Sequence, residues 1–315
     1  MKEKMWAYML ELSTNMWGDP GSTGWIAKSS PFYDTFATDE ETWDKVVDFL
    51  PAQGINTVLV DVGDGYVCES HPEINIPGAW SKNKLKDKLD HIRCLGMTPI
   101  PKLNFSARHD AWLKDYSHML ATPIYRKVCC DLMDEVCELF DGPEFFHLGF
   151  DEERWEMLRY QSFTAVRSGD LWWNDFYCIT GQAEKNGARP WVWTDLTRHD
   201  PKEYFSKMPK SVLLSNFYYD FWEKLPNGRY DNDRVNAYLD LDAAGYDQVP
   251  SCSSCTKTYN DEETVKLGRE ELDQDRLAGF LVAPWLCTFR ENYYALLSEA
   301  WRFGLAKGKY YPEDK

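Results

Sequence analysis

The stretch EFFHLGFDEERW, residues 144–155, opens on the apolar pair Phe145 and Phe146, breaks at His147 and Gly149, and ends in three consecutive acids, Asp151, Glu152 and Glu153. An apolar run of this length, bounded by charge, reads as a buried strand. A buried strand that delivers carboxylates at its tip is a strand ending at a site, because acids with no chemistry to perform are solvated more cheaply on a helix face. Side chains alternate along a strand, so His147, Gly149 and Asp151 share one side and Leu148 and Phe150 the other. Asp151 therefore points where His147 points, and Glu152 is released into the loop beyond. An isolated Asp-Glu-Glu more often caps the following helix. The segments flanking the stretch decide between the two readings.

Seven other runs of similar length surround it: WAYMLEL (6–12), NTVLVDV (56–62), TPIPKLNF (98–105), RPWVWTDL (189–196), SVLLSNFYY (211–219), YDQVPSC (246–252) and GFLVAPWL (279–286). Helical patterns lie between them. In DEETWDKVVDFLPAQG (39–54), Trp43, Val46, Val47 and Leu50 recur at helical spacing, with acids at the start and Gly54 just past the end. In TPIYRKVCCDLMDEVCELF (122–140) the expected apolar face is Ile124, Val128, Leu132 and Val136, and ENYYALLSEAWRFGLAKG (291–308) closes the chain in the same way. The segments after the fifth to seventh strands carry weaker helical patterns. Strand then helix, eight times over, predicts an α/β fold of the (β/α)8 TIM-barrel type, with residues 1–315 as one barrel domain. An open doubly wound sheet is the alternative, but no G-x-G-x-x-G follows the first strand and no P-loop is present.

Bulk properties exclude several classes of function. The 315 residues are 43% hydrophobic, enough for a sizeable core, and the formal charge of -16 argues against nucleic acid as a partner, since basic patches supply that affinity. No apolar run approaches the roughly 18 residues that span a bilayer, so no membrane segment is expected. The N-terminus lacks a leader pattern, and nine cysteines without framework spacing fit a reducing compartment, so a cytoplasmic location is expected. The sequence carries no signal for an oligomeric state. The 14 Trp, 18 Tyr and 16 Phe are mostly core, but flat rings also make platforms for sugar faces.

Barrel enzymes place their sites at the C-terminal ends of the strands. Those ends carry Glu11, Asp61, Asp64, Asn104, His147, Asp151, Glu152, Trp193, Asp195, Tyr218, Tyr219, Asp220 and Trp285, with Lys102 the one cation among them. Acids and aromatics without an Arg cluster suit a neutral polyol, so the expected partner is a carbohydrate. In this context the acid pair reads as catalytic. No cofactor is implied. Cys252 and Cys255 have zinc-ligand spacing but lack a second pair, and His147, His109 and Asp151 belong to no metal motif, so no metal is expected. Trp17 and Trp25 lie in the long loop after the first strand, where they serve either specificity or a lid.

The segment HLGFDE (147–152) resembles the His-x-Gly-Gly-Asp-Glu motif of family 20 glycoside hydrolases, the β-N-acetylhexosaminidases, whose catalytic domain is a (β/α)8 barrel with this motif at the end of strand four. VLVDVGDGYVCESHPEINIPGAW (58–80) resembles the family's strand-two segment, and PKLNFSARH (101–109) is similar in layout to its strand-three segment. SNFYYD (215–220) resembles its Tyr-x-Asp element, and APWLCTFREN (283–292) its strand-eight Trp segment. The resemblance spans nearly the whole chain in order, and the acidic pair is its specific part.

The resemblance implies substrate-assisted, retaining hydrolysis of terminal β-linked N-acetylhexosamine. Ordinary glycosidases need two carboxyls on opposite sides of the scissile bond, roughly 5 Å or 6.5–9.5 Å apart, which neighbours in sequence seldom provide. In the implied mechanism the sugar's own 2-acetamido oxygen attacks the anomeric carbon. Glu152 is then the general acid and base, with a raised pKa, and Asp151 orients the acetamido N–H. By the same resemblance Tyr219 bonds the acetamido carbonyl, Trp193 and Trp285 wall the pocket, Asp220 binds a hydroxyl, and His147 and Asp64 orient the acids. Glu11 and Asn104 complete the expected substrate contacts. The chain departs from the family at Thr14, in place of a hydroxyl-gripping Arg, at Phe150 in place of Gly, and at Lys102 and Asn104 in place of acids. The motif's His corresponds to Arg108 or, with a one-residue shift, His109; strand eight lacks Trp-x-Glu, with Glu291 six residues on. Two alternatives stay open: a glycosidase for plain sugars using Glu11, Asp61 or Asp195 as nucleophile or base, and a sugar-binding barrel without activity.

Overall fold

The computed structural model describes residues 3–24 and 26–314, so Trp25 lies outside the described residues. Eight parallel strands form the ring: β1 (Met5–Glu11), β2 (Thr57–Asp61), β3 (Thr98–Lys102), β4 (Phe145–His147), β5 (Arg189–Trp193), β6 (Leu213–Ser215), β7 (Ser251–Cys252) and β8 (Gly279–Val282). Their order is β6-β5-β4-β3-β2-β1-β8-β7. Between β6 and β7 the ring meets through two isolated parallel bridges, Leu214 with Gln248 and Phe217 with Ser251. Each strand is followed by a helix: α1 (Glu40–Phe49), α2 (Lys82–Cys94), α3 (Pro123–Leu139), α4 (Asp170–Lys185), α5 (Pro201–Lys207), α6 (Asp233–Ala243), α7 (Asn260–Glu271) and α8 (Tyr293–Tyr310). This is the (β/α)8 barrel that the alternation predicts.

The helices begin where the sequence supplies caps. Asp39, Ser81, Thr122, Asp200 and Asn232 each accept a backbone N–H of the first turn, which satisfies a donor that otherwise has no partner. Strand parity then sorts the core into two bodies. Ala7, Met9, Leu59, Ile100, Phe145, Trp191, Leu213, Val249 and Leu281 fill the inside of the ring. Trp6, Tyr8, Leu10, Val58, Val60, Phe146, Leu148 and Val192 pack outward against the helices. Among the described residues no helix is long and apolar enough to cross a membrane.

Two expectations are corrected. Most strands start within two residues of the apolar runs but end earlier, most clearly β4, which stops at His147 rather than residue 150; β7 instead starts late, at Ser251 rather than residue 246. Gly149 and Phe150 take φ of 78° and 68°, which turns the chain out of the sheet although its composition stays apolar. Ile124 does not share the buried face of α3. It is 57% exposed, and the face that packs is Tyr125, Val128, Cys129, Leu132, Met133 and Val136, because the stripe passes one residue beyond Ile124 in the first turn.

Candidate active site

Register brings four ionisable residues onto one rung. Glu11 pairs with Asp61, Asp61 with Lys102, and Lys102 with His147 across β1 to β4. All four share the parity of the inner core, so they point into the ring at its C-terminal end, with strands roughly 4.8 Å apart. Lys102 and Asp61 form a fully buried ion pair. Glu11 is 2% exposed, with no hydrogen-bond partner for either carboxylate oxygen beyond a contact with the Cys287 thiol. Burial, reinforced by the Asp61 charge, pushes its pKa up to about 8. Burial, together with the Lys102 charge, pushes His147 well below the ordinary imidazole range, so it is neutral. Its Nδ1 accepts the Gly149 N–H at 3.2 Å, and its ring packs on Trp191 and Trp193 at 5.0 and 4.7 Å.

Above this rung the chain turns sharply. A Cβ on Gly149 would lie 1.8 Å from Asn104 Oδ1 and 3.0 Å from Asn104 Cα, so no side chain fits there. Phe150 follows in the left-handed region, and its ring is held outside the barrel by Trp172 and Phe176 at 5.3 and 5.1 Å. Glu152 is left-handed again, at φ 56°. Three non-standard conformations in four residues are the local cost of presenting both acids.

The three consecutive acids meet three different fates. Asp151 is buried: Asn104 Nδ2 donates to Oδ1 at 3.2 Å and His109 Nε2 lies 3.1 Å from Oδ2. Ser106 Oγ donates to the Asp151 carbonyl. Burial alone would raise the Asp151 pKa, but His109 and Lys102 hold it at about 2, so it is ionised. Burial disfavours a charged His109, yet the Asp151 carboxylate outweighs it and raises the imidazole above its ordinary value. Glu152 is the open member, its side chain 25% exposed and 3.5 Å from the same His109 nitrogen. Glu153 faces away into a buried ion network. Arg167 reaches its carboxylate at 2.6 Å, pairs with Asp175 at 2.8 Å, and donates to the Phe105 carbonyl at 2.6 Å. Helix capping does not explain the triplet. The next helical turn, Trp155–Leu158, has Arg154 at its N-cap and no side-chain cap bond.

A chain of aromatic rings leads to His109, the residue beside both acids. Trp285 lies 5.8 Å from Trp193, 6.0 Å from Trp17 and 6.4 Å from Tyr219, while Trp17 meets His109 edge-on at 6.4 Å. Tyr219 also approaches Ser251 Oγ at 3.5 Å. Trp17 belongs to the loop after β1, which crosses the mouth. Arg108 Nη1 donates to the Trp17 carbonyl at 2.7 Å, and the Thr23 N–H donates to the Tyr160 carbonyl at 2.8 Å.

Other residues expected at the site have different company. Asp64 accepts from Ser13 at 2.6 Å and Asn15 at 2.8 Å, so it ties down the β1 loop rather than orienting the acid pair; burial raises its pKa to about 6. Asp220 accepts its neighbour's N–H, from Phe221, at 2.8 Å. Asp195 is paired with Arg198 and lies 3.6 Å from Arg154, and burial raises its pKa to about 6. Sequence reasoning gave no role to Ser106, Arg154 or Arg167, and left Arg108 and His109 as rivals for one position. The structure puts His109 beside both acids and Arg108 on the loop. Among the described residues no three His, Cys, Asp or Glu side chains converge as a metal-ligand set, and Cys252 is buried with Sγ 3.5 Å from the Leu281 carbonyl.

No family model matches the chain. No curated protein matches it either. Solved structures do. An exo-β-N-acetylglucosaminidase of Vibrio harveyi, in complex with N-acetylglucosamine, aligns over 99% of this chain and 58% of its own, with TM-score 0.63 and 15% identity. A chitobiase of Flavobacterium johnsoniae aligns over 96% of this chain and 48% of its own, with TM-score 0.66 and 16% identity. Dispersin B aligns over 97% of this chain and 98% of its own, with TM-score 0.59 and 14% identity. The chain thus spans about half the length of the first two and nearly all of the third. What it shares with them is the barrel, the architecture that the family 20 resemblance implies.

Proposed function

We propose that the chain is a glycoside hydrolase acting on terminal β-linked N-acetylhexosamine by retaining, substrate-assisted catalysis, with residues 1–315 as one catalytic barrel. The observation that carries this reading is the contrast inside one dipeptide. Asp151 is buried and ionised between Asn104 and His109, while Glu152, beside the same imidazole nitrogen, opens toward the mouth. Two acids on one side of a pocket cannot flank a glycosidic bond, so the attacking group has to come from elsewhere. The names of the structural neighbours, which are N-acetylglucosaminidases and a chitobiase, supply the sugar that carries one.

In the proposed sequence the 2-acetamido oxygen attacks the anomeric carbon while Glu152 gives its proton to the leaving oxygen. Asp151 accepts the acetamido N–H and stabilises the positive charge that develops on the oxazoline. Water then enters, Glu152 takes its proton, and the configuration is retained. Tyr219 would bond the acetamido carbonyl, with Trp193 and Trp285 as walls. Asn104 would fix Asp151, and Glu11 and Asp220 would meet hydroxyls. His147 and Asp64 would act at one remove, through the Gly149 backbone and the β1 loop.

The plain-sugar alternative lacks a free carboxylate. Asp61 is neutralised by Lys102, Asp195 is engaged by Arg198, and Glu11 is protonated at neutral pH. The test compares aryl β-N-acetylglucosaminide and β-N-acetylgalactosaminide with the plain β-glucoside and β-galactoside. Turnover confined to the acetamido sugars is expected; turnover of the plain sugars alone would overturn the mechanism. Glu152→Gln is expected to lower kcat by about 10²–10⁴-fold, with ligand affinity retained. A wild-type chain that binds these sugars without turning them over would make it a sugar-binding barrel.

A further inference from the structure

The helices α3 and α4 follow β3 and β4, so both run antiparallel to the strands and therefore parallel to each other. Three rungs of side chains mark their register. At the N-terminal rung Arg126 Nε meets Asp175 Oδ1 at 2.7 Å, a sequence separation of 49. Two turns further along α3, Asp134 Oδ1 accepts from Gln182, a separation of 48, and from Asn186 at 2.6 Å. The middle rung is occupied by Cys130 and Cys178, one turn beyond Arg126 and one turn before Gln182, close enough for Cys178 to act on the ionisation of the Cys130 thiol. Both are free and only partly buried.

Packed helix axes lie roughly 8–10 Å apart and Cα atoms sit about 2.3 Å from each axis, so directly facing Cα atoms are separated by roughly 3.4–5.4 Å. Disulfides span Cα separations of about 4.4–6.8 Å. The register that the flanking polar pairs fix thus places the two cysteines within a range that overlaps what a disulfide spans. Cys129, next in sequence, has no such option: it is buried in the core against Tyr125.

We propose that Cys130 and Cys178 form a thiol-modification site at which a small-molecule disulfide of the glutathione class crosslinks α3 to α4. The Cys178 thiolate attacks the reagent, forming a mixed disulfide and expelling one reagent thiol. The Cys130 thiolate then displaces the second. Two protein thiols are oxidised to one disulfide, one reagent disulfide is reduced to two thiols, and the two protons go to the leaving thiolates. Burial, with Cys178 adding to it, pushes the Cys130 thiol up to about 12, so the second displacement is the slow step and accelerates in alkaline buffer. The crosslink lies outside the acid pair and is independent of the glycosidase reading, since neither thiol borders Asp151 or Glu152. It does staple the two helices that carry Arg126 and Asp175, and Asp175 anchors Arg167 and through it Glu153.

The experiment exposes the purified chain to oxidised glutathione at mildly alkaline pH and reads intact mass and peptide maps. The expected product has lost two hydrogens, carries a link between the peptides containing Cys130 and Cys178, and reverts with dithiothreitol. Its Tm should rise by about 2–5 °C over the reduced chain. Cys130→Ser and Cys178→Ser should each abolish the link. The wild-type peptide map decides the matter even if a variant folds poorly. An unchanged mass, a link between other cysteines, or a mixed disulfide that persists without closing would each overturn the proposal.

Discussion

At the scale of single residues, the site is organised by how burial divides charge. Asp151 and Glu11 are both buried acids, and their partners send them in opposite directions. Asp151 has an amide donor and the His109 imidazole and is held at about 2, whereas Glu11 has only the Cys287 thiol and rises to about 8. The two make opposite contributions to stability. A carboxyl whose folded pKa lies below its unfolded value of about 4 adds stability above that value and loses it as pH falls toward 2. A carboxyl raised in the folded state is protonated there while the unfolded chain ionises, so stability falls as pH rises from about 4.5 to 8. Glu11→Gln removes that loss. The variant should match the wild type near pH 4.5 and exceed it increasingly up to pH 8, by an amount on the order of a few kcal/mol. Thermal unfolding of both proteins across that range checks it, and parallel curves would show Glu11 to be ordinary. The same contrast separates what was legible in the sequence. Asp151 and Glu152 stand out as a pair, but nothing in the order of residues says that Glu153 belongs to Arg167, fourteen positions away.

At the scale of elements, the turn after β4 is the decisive piece. Phe150 occupies a conformation that costs a non-glycine residue roughly 1–2 kcal/mol, and the burial of its ring among Trp172, Phe176 and the Arg167 guanidinium, 5.3 Å from the ring centroid, offsets it. Truncation to Ala keeps the strain and loses the ring, whereas truncation to Gly loses the ring and the strain together. Phe150→Gly should therefore be about 1 kcal/mol more stable than Phe150→Ala by chemical denaturation, the reverse of the usual order at an ordinary backbone position. Arg167 ties this turn to α4. Removing it leaves Glu153 buried and unpaired and Asp175 with Arg126 as its remaining cation, which costs about 3–5 kcal/mol. Arg167→Met should lower Tm and, by releasing the loop that carries Glu152, reduce kcat as well. Arg167→Lys should restore neither fully, because one ammonium cannot reach Glu153, Asp175 and the Phe105 carbonyl in the fork geometry of a guanidinium. A loss of stability with kcat intact would confine Arg167 to folding. Apart from that of β7, strand starts were readable from composition because apolar runs begin at the barrel floor. Strand ends were not, since they are set by φ at Gly149 and Phe150 and by packing with segments distant in sequence.

At the scale of the whole molecule, alternation alone specifies the barrel, and parity within each strand specifies which residues face its axis. The rung of Glu11, Asp61, Lys102 and His147 follows from register, which periodicity cannot supply: a slip of one residue would turn every one of them outward. The ring is also uneven around its circumference. Seven to five residues per strand join β1, β2 and β3, but β6 and β7 are three and two residues long and touch through isolated bridges. A hoop of this kind has a clasp. Opening free energies are lowest where backbone pairing is sparsest, so the Val249 and Ser251 amides, which bond the Leu214 and Asn216 carbonyls, should exchange with deuterium before those of β1 and β2. Uniform protection around the ring would refute this. Tyr219 and Asp220 leave the barrel beside that clasp, so an occupant gripped by them would hold it shut. Slower exchange there on adding a sugar would report occupancy from the barrel wall, without any need to watch a bond break.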